Sequence, residues 1–278
     1  MLELAVCLET VFTDLPVEER MRRIAEAGFS RVEFWHPEGT FNGRAVDTSQ
    51  PKDPAALRQA AGACGLVIND FALHAWDGSI GGCPVRADDR DRYLEQVARM
   101  LEFAAAAGIR QGITLSGTVD PRLSRTRMRG NLEAALGEAV RLAEAADFTL
   151  LLEPLNTLVD HPGYYLDSSA LAADIVRAVG SPHLKILYDV YHMQIMEGNV
   201  LATIERHVDL IGHFHSAGVP GRGELFDCEL DYRTIVGRIE SLGYRGSFGL
   251  EYFPKTPDHL ESLKRNLACL RDDPHRRE

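Results

Sequence analysis

Cysteine is scarce and scattered in this chain, which limits the sites that thiols could build. The 278 residues include five cysteines, at positions 7, 64, 83, 228 and 269, and no two of them have CxxC spacing. An odd number of cysteines without paired spacing argues against a disulfide framework and against a zinc ribbon. We therefore expect a reducing compartment, with the cytoplasm as the simplest location.

Basic residues are also in short supply. Lysine and arginine number 30 against 41 aspartates and glutamates, which gives a formal net charge of −11. A surface that neutralises nucleic-acid phosphates needs clustered lysine and arginine, so no nucleic-acid partner is expected. A small anion such as a metabolite carboxylate is still compatible with this charge, because a local arginine or metal ion sets the potential inside a cleft.

Long apolar runs are missing as well. No run of 18 or more apolar residues is present, so no membrane span is expected. The first twelve residues, MLELAVCLETVF, lack a basic start and are interrupted by Glu3 and Glu9, which predicts a first strand and not a signal peptide. A hydrophobic content of 45% and a charged content of 26% are typical of a globular protein with a sizeable core.

The chain does contain a regular alternation of strand-length apolar runs with longer amphipathic segments. This alternation predicts βα units around a parallel sheet, and eight such units close a barrel. The predicted fold class is therefore α/β, a single (β/α)8 TIM barrel. The predicted strands are 2–7, 31–35, 66–74, 109–117, 148–155, 184–191, 210–218 and 247–253.

Helical spacing of apolar residues is clearest in 91–108 and 131–147. Two stretches rich in Gly, Pro, Asp and Ser, 36–52 and 75–90, are predicted to be long loops after strands, and such loops build the site in barrels of this kind.

No linker or low-complexity tract divides the sequence, so one domain is expected over 1–278, with 271–278 as a flexible tail. A homo-oligomer remains possible, because neighbouring protomers can pack through exposed helices.

Ionisable residues terminate each of the last four predicted strands: Glu153, Asp189, His215 and Glu251. Burying such groups unpaired is costly, and a shared cation would satisfy all of them. Three carboxylates and one imidazole suit a divalent ion such as Mn²⁺, Mg²⁺ or Co²⁺. Each residue alone could instead be an ordinary hydrogen-bonded residue at a strand end, but their joint position favours one metal site.

Several motifs occur in a recognisable order along the chain. They are VFTDLPVEERMRRIAEAGFSRVEF, LLLEPLNTLVDHPGYYLDSS, LYDVYHMQIMEGNV, HFHSAGVPGRGEL and GLEYFPK. This series resembles the hydroxypyruvate isomerase family, within the wider xylose-isomerase-like barrel superfamily of ketose 3-epimerases, inosose dehydratases and family 2 AP endonucleases. The resemblance covers most of the chain and is densest from about 148 to 255.

The resemblance implies one metal held by the four strand-end residues, with Glu153 and Glu251 also serving as the acid/base pair. It implies that His192 and Arg222 contact the substrate, and that hydroxypyruvate is converted to tartronate semialdehyde through an enediolate. From the residues alone, His192 could instead be a helix-start residue bonded to backbone. Arg222 could likewise be a solvated loop arginine.

Two departures from the family pattern leave the substrate open. Hydroxypyruvate isomerases often carry Gln at the position of His215, whereas epimerases and inosose-metabolising relatives carry His there, as this chain does. On the other hand, ketose 3-epimerases usually carry a Glu where this chain has Val159. A ketose 3-epimerase or an inosose-converting enzyme is therefore the alternative. An AP endonuclease is a more distant alternative, and a catalytically idle barrel is the last.

The first four predicted strands offer further candidates for substrate contacts, namely Glu33, His74 and Ser116. Glu33 could instead pair with a neighbouring basic residue, and His74 could be a hydrogen-bonded strand-end histidine. An apolar wall that excludes water could be formed by the aromatic residues Phe12, Trp35, Trp76 and Tyr252.

Overall fold

Eight short parallel strands form one sheet that curls into a nearly closed barrel in the computed structural model, which describes residues 1–271. Within these residues the strands are β1 (Glu3–Cys7), β2 (Arg31–Phe34), β3 (Thr40–Phe41), β4 (Val46–Asp47), β5 (Val67–Phe71), β6 (Gln111–Thr114), β7 (Thr149–Leu152), β8 (Leu184–Asp189), β9 (Ile211–Ser216) and β10 (Ser247–Leu250). The order in the barrel is β5-β2-β1-β10-β9-β8-β7-β6, and a bridge between Ala72 and Ile113 joins its two edges. The predicted TIM barrel is confirmed.

Helices connect the strands and pack side by side around the sheet. Within residues 1–271 the α-helices are α1 (Val17–Glu26), α2 (Pro54–Ala63), α3 (Arg90–Ala107), α4 (Arg125–Ala145), α5 (Ser169–Val179), α6 (Val190–Met196), α7 (Val200–His207), α8 (Tyr232–Ser241) and α9 (His259–Arg271). The structure starts α4 six residues before the predicted 131. Ser124 explains this earlier start, because its side chain accepts a hydrogen bond from the Arg127 N–H and caps the helix.

The core lies between the sheet and the helices. Strand β7 is buried along Leu150, Leu151 and Leu152, as expected for a parallel strand covered on both faces. Helix α4 presents Leu132 and Leu136 to the same core at helical spacing. Each fully buried leucine contributes about 1.5–3 kcal/mol, so the strands are held by burial on both sides of the sheet.

The long loop 36–52 contains the β3–β4 hairpin and is anchored by a buried cation. The Lys52 ammonium lies 2.6 Å from Glu9 Oε1, donates to the His36 carbonyl at 2.9 Å and also contacts the Gly39 carbonyl. The same Glu9 carboxylate pairs with Arg20 at 3.3 Å, and all three charged side chains are buried. This triad ties the loop to the end of β1, at the mouth of the barrel.

Replacing Lys52 should therefore destabilise the protein well beyond the loss of an exposed ion pair. We expect Lys52→Met to lower the free energy of unfolding by about 3 kcal/mol, because it leaves part of the Glu9 charge buried without a partner. Arg110→Met is the matched control, since Arg110 pairs with Asp147 on the exposed surface and should cost less than about 1 kcal/mol. Urea unfolding measures both variants, and equal losses would contradict the role given to Lys52.

Two expectations concern the chain as a whole. The predicted tail, 271–278, lies outside the described residues apart from Arg271, which ends α9. Among residues 1–271, no helix combines the length and apolar character needed to cross a bilayer.

Candidate active site

A cavity of about 560 Å³ opens at the carboxyl ends of the barrel strands. In TIM barrels this is the face that carries the active site. Its wall combines polar and aromatic side chains, among them Trp35, Trp76, Glu153, His192, Arg222 and Glu251. A pocket of this size, apolar with a few convergent polar groups, suits a small organic substrate.

The four strand-end residues come together at the base of this cavity. Glu153 directly follows β7, Asp189 ends β8, His215 lies in β9 and Glu251 directly follows β10. Strand register aligns Asp189 beside His215, and it places Glu251 two residues beyond the partner of His215 on β10. The Nδ1 atom of His215 lies 3.9 Å from Glu153 Oε1 and 3.8 Å from Glu251 Oε2. The carboxylates of Glu153 and Glu251 therefore both approach the same ring nitrogen.

These residues are suited to hold a divalent ion. Glu153 Oε1 and His215 Nδ1 are buried without hydrogen-bond partners, which is costly unless something else satisfies them. Potential ligand atoms of Asp189, His215 and Glu251 lie within 4.8 Å of one another. Asp189 accepts backbone N–H groups of α6 through Oδ1 and keeps Oδ2 available. The mixed oxygen and nitrogen donors match the preferences of Mn²⁺, Mg²⁺ or Co²⁺.

Burial shifts the proton affinities of these groups. It raises the pKa of Glu153 well above the usual glutamate value although His215 opposes the shift, and it raises the pKa of Asp189 to about 6. Burial alone would lower the pKa of His215, but the neighbouring carboxylates of Glu33, Glu251 and Glu153 outweigh it and raise that pKa well above its usual range. Without a cation this cluster binds protons tightly, so a metal ion would displace them on binding.

Arg222 closes one side of the cavity. Its guanidinium contacts the Glu251 carboxylate through Nη2 and Oε2, and it lies over the Tyr191 ring at 5.3 Å and the Phe253 ring at 6.0 Å. The other oxygen of Glu251 accepts a hydrogen bond of 2.6 Å from Trp35 Nε1. Arg222 is therefore not a solvated loop arginine, and Glu251 is oriented from two sides.

His192 occupies the first turn of α6, beside Asp189. Its Nδ1 accepts a 3.3 Å hydrogen bond from the Asn156 backbone N–H and lies 2.6 Å from the side-chain nitrogen of Asn156. The ring proton consequently belongs on Nε2, which lies 3.5 Å from Asp189 Oδ2. Burial, and then Arg222, lower the pKa of His192 well below its usual value, so the ring is neutral.

A profile of the xylose isomerase-like TIM barrel family matches residues 21–272. The chain belongs to this family. It is 31% identical to hydroxypyruvate isomerase of Escherichia coli over 92% of this chain and 95% of that one. It is 32% identical to 2-oxo-tetronate isomerase of Cupriavidus necator, over 90% of this chain and 92% of that one. The resemblance to the hydroxypyruvate isomerase family is confirmed.

One solved structure is also similar over nearly its whole length. The crystal structure of a family 2 AP endonuclease from Brucella melitensis has 28% sequence identity and a TM-score of 0.84, and it covers 96% of this chain and 97% of that one. The curated relatives at 30% identity or more are named as isomerases, and the chain is an isomerase by this relationship, although the Brucella structure has an endonuclease name.

Three of the predicted substrate contacts in this xylose isomerase-like barrel do not line the cavity. His74 lies in the barrel wall, where Nε2 is 3.1 Å from Thr114 Oγ1 and accepts the Leu115 N–H. Ser116 donates to the Gly117 carbonyl and accepts a backbone N–H from the loop after β7. Glu33 lies beneath His215, inside the barrel. All three side chains contact other protein groups and do not reach the surface of the cavity.

The predicted aromatic wall is half right. Trp35 and Trp76 line the cavity, whereas Phe12 packs against His259 and Tyr252 is buried with its hydroxyl 2.9 Å from Ser262 Oγ. Both misplaced rings point away from the barrel mouth towards α9, which the strand pattern alone could not show.

Sequence reasoning missed Asn156, His36 and His161. Asn156 fixes the ring of His192, and the other two line the cavity. They lie in loops, where no periodicity marks the direction of a side chain, although Asn156 directly follows the strand-end segment that carries Glu153.

The raised pKa values predict how the stability of the metal-free protein depends on pH. Groups whose folded-state pKa is above the unfolded value stabilise the protein at low pH, and this stability is lost as pH rises through the folded pKa. With chelator present, we expect Asp189 to lower the free energy of unfolding between about pH 4 and pH 6, by about 1.4 kcal/mol per pH unit for the proton it releases. The buried His74, His161 and His192, whose pKa values are lowered, contribute with the opposite sign below about pH 6.5, so the Asp189 contribution has to be isolated as a difference between variants.

Urea titrations of wild type and Asp189→Asn from about pH 4 to pH 6 test the expectation. The variant lacks the group whose pKa is raised to about 6, so its free energy of unfolding should rise relative to that of wild type as pH increases. Added Mn²⁺ should reduce or reverse the loss of stability with pH in the wild type. A difference between the two proteins that does not change with pH would contradict the proton assigned to Asp189.

Proposed function

We propose that this chain is a divalent-metal-dependent isomerase of short hydroxy 2-oxo acids, with hydroxypyruvate as the leading substrate and tartronate semialdehyde as its product. One observation carries the proposal: Glu153 and Glu251 approach the same side of His215, in a cavity that also contains the Arg222 guanidinium. The names of the curated relatives support the same reaction class.

Glu153, Asp189, His215 and Glu251 would hold the ion. When bound, it would polarise the substrate oxygens and stabilise negative charge that develops on them. His192 also faces this cluster, with its Nε2 3.5 Å from the second oxygen of Asp189. Its ring lines the cavity, where it would contact a substrate hydroxyl.

The reaction requires a proton to leave C3 of hydroxypyruvate and another to be added at C2, by way of the substrate enediolate. Two carboxyl groups on opposite sides of one substrate can perform these transfers, and general acid/base catalysis typically contributes 10²- to 10⁴-fold. Glu153 lines the cavity, where its carboxylate could exchange a proton with a bound substrate. Glu251 is oriented by Trp35 and Arg222, which aims its carboxylate into the cavity.

Arg222 favours a substrate that carries a carboxylate. A guanidinium matches a carboxylate in geometry and charge, and this one is nearly buried beside the proposed metal position. Hydroxypyruvate and 2-oxo-tetronate, the compounds in the relatives' names, are both carboxylates. A free ketose would leave this charge without an anionic partner from the substrate.

The acid/base pair predicts a large loss of activity on conservative substitution. With Mn²⁺ or Mg²⁺ present, we expect Glu153→Gln and Glu251→Gln each to reduce the conversion of hydroxypyruvate by about 10²- to 10⁴-fold. Glu144→Gln, on the exposed face of α4, is the matched control and should keep full activity. Turnover is followed as formation of tartronate semialdehyde. Retention of activity by both variants would reject the acid/base role of these carboxylates, and no turnover by the wild type on any hydroxy-carbonyl substrate would favour a catalytically idle barrel.

Arg222 predicts a difference between substrate classes. We expect Arg222→Met to lower kcat/KM for hydroxypyruvate by about 10- to 100-fold, as for the loss of a charged hydrogen bond worth about 1.5–3 kcal/mol. Because Arg222 also orients Glu251, any activity on a neutral ketose should fall as well, but less than the activity on hydroxypyruvate, so the ratio of the two kcat/KM values should fall. Arg125→Met is the control, because Arg125 also stacks on a tyrosine but lies outside the cavity lining. Equal losses on both substrate classes would argue against a carboxylate partner.

A second candidate is a ketose 3-epimerase or an inosose-converting enzyme, which His215 favours because epimerases carry histidine at this ligand position. A panel of free ketoses and inososes separates this candidate from the first. Robust epimerisation of a ketose, without turnover of hydroxypyruvate, would replace the proposed substrate.

Endonuclease activity is less well supported, despite the name of the Brucella structure. The net charge of −11 disfavours a DNA-binding surface, so we expect a small-molecule substrate and no tight, salt-sensitive shift of abasic DNA in a gel. A cytoplasmic location and a possible homo-oligomer remain predictions.

A further inference from the structure

A second group of ionisable side chains lies directly beneath the proposed metal ligands, inside the barrel. It consists of Glu33 on β2, Asp70 on β5 and His213 on β9, and it reaches the upper group through His215. All four side chains are at most 2% exposed. Burial of this many ionisable groups is unfavourable, so their contacts with one another must be explained.

The backbone directs these groups at one another. Alternate residues of a strand face the same side, so His213 and His215 both point into the barrel. Opposite His215 in the sheet stands Gly249 on β10, and a Cβ atom there would collide with the Glu33 carboxylate. The missing side chain of Gly249 leaves the space in which the Glu33 carboxylate reaches His215.

The contacts of His215 divide between its two ring nitrogens. Nδ1 faces the carboxylates of Glu153 and Glu251 in the cavity, while Nε2 lies 3.3 Å from Glu33 Oε1. Neither Nε2 nor this oxygen has another hydrogen-bond partner, and the two are close enough to pair after a small rotation of either side chain. A neutral imidazole carries one proton, and only the nitrogen without it can bind a metal. A carboxylate behind Nε2 retains the proton there and leaves the Nδ1 lone pair for the ion.

The Glu33 carboxylate is itself held by His213 through the oxygen that does not face His215. Its second oxygen, Oε2, lies 3.1 Å from His213 Nε2, which also lies 3.3 Å from Asp70 Oδ2. Asp70 accepts a 2.6 Å hydrogen bond from Asn69. The carboxylate of Glu33 therefore has one oxygen fixed by His213 and the other turned towards His215.

We propose that Glu33 is a positioning residue that holds His215 as a metal ligand, with Nε2–H directed at the carboxylate and Nδ1 directed at the cavity. This inference rests on the metal centre of the proposed function and assigns Glu33 a role different from the expected substrate contact. Glu33 acts through His215 and touches neither the substrate nor the ion.

The same four side chains could in principle hold a second ion of their own. The distances of 3.1 and 3.3 Å between His213 Nε2 and the two carboxylates are close to those of N–H···O hydrogen bonds, which favours protons in this layer. The number of ions bound per chain distinguishes the two arrangements.

Mn²⁺ binding by the full chain tests the proposal without measuring activity. Free Mn²⁺ is counted by electron paramagnetic resonance as the metal is titrated into wild-type protein, Glu33→Gln, Gly249→Ala and Asp70→Asn. We expect one Mn²⁺ per chain in the wild type and a dissociation constant about 10- to 100-fold weaker for Glu33→Gln. Gly249→Ala should weaken binding in the same direction, because the added Cβ collides with the Glu33 carboxylate and with the ring of His215.

Asp70→Asn is the matched control, since it removes a buried carboxylate from the same layer but leaves the contact between Glu33 and His215. Its Mn²⁺ affinity should stay within about 3-fold of wild type. Circular dichroism verifies that each variant is folded, and a Glu33→Gln variant as folded as Asp70→Asn isolates the effect on the metal.

Three results would overturn the proposal. A wild type that binds one Mn²⁺, with Glu33→Gln binding equally well, removes the role of Glu33 and leaves the proposed function intact. Two ions in the wild type, one of them lost in both Glu33→Gln and Asp70→Asn, would show a second metal site instead. A wild type that binds no divalent metal removes the metal centre itself, and the proposed function fails with it.

Discussion

The structure depends on the convergence of parallel strands at one end of a barrel. Each strand contributes little polar surface of its own, but four adjacent strands end within a few ångströms of one another, and Glu153, Asp189, His215 and Glu251 meet there. Together they have too few hydrogen-bond partners inside the protein. Burial of such groups without partners is unfavourable, so the surrounding structure must hold them together.

Buried hydrogen bonds and ion pairs around the site hold these four side chains in place. Lys52 ties the loop after β2 to the end of β1, and Trp35, which directly follows β2, donates to Glu251. Asn156 fixes His192 from the loop after β7. Each of these contacts joins a loop at the mouth to a neighbouring strand or helix, so the ligand groups cannot relax away from one another without breaking buried hydrogen bonds. A site in loops alone would lack this constraint.

The sequence predicts a site residue well where the position of the residue along the chain determines its position in the barrel. An ionisable residue directly after an apolar run must lie near a strand end, which is why Glu153 and Asp189 could be placed from the pattern. His74 and Ser116 have the same flanking pattern, but β5 and β6 end earlier, at Phe71 and Thr114. Beyond the strand ends the neighbouring Ala75 and Leu115 line the cavity, while the side chains of His74 and Ser116 bond other protein groups. Helix and strand limits shift by several residues for reasons of capping and register that no single-residue pattern contains.

The second group of ionisable side chains, beneath the proposed metal ligands, could be predicted only in part from the sequence. The spacing of His213 and His215 on one strand requires both to face the barrel interior, whereas nothing local links Asp70 or Gly249 to them. Those residues are neighbours only because β2, β5, β9 and β10 curl around a common axis. Contacts across a barrel interior depend on strand register, and register is a property of the closed sheet.

The net charge of the proposed metal site bears on which substrate it would bind. Three ionised carboxylates and a divalent ion would leave one negative charge, which Arg222 neutralises through Glu251. The Nε and Nη2 atoms of Arg222 face the backbone and side-chain oxygens of Glu251, which leaves Nη1 for a substrate carboxylate. A hydroxy acid would therefore meet the guanidinium on the edge that Glu251 does not occupy, whereas a neutral ketose would bring no anion to it.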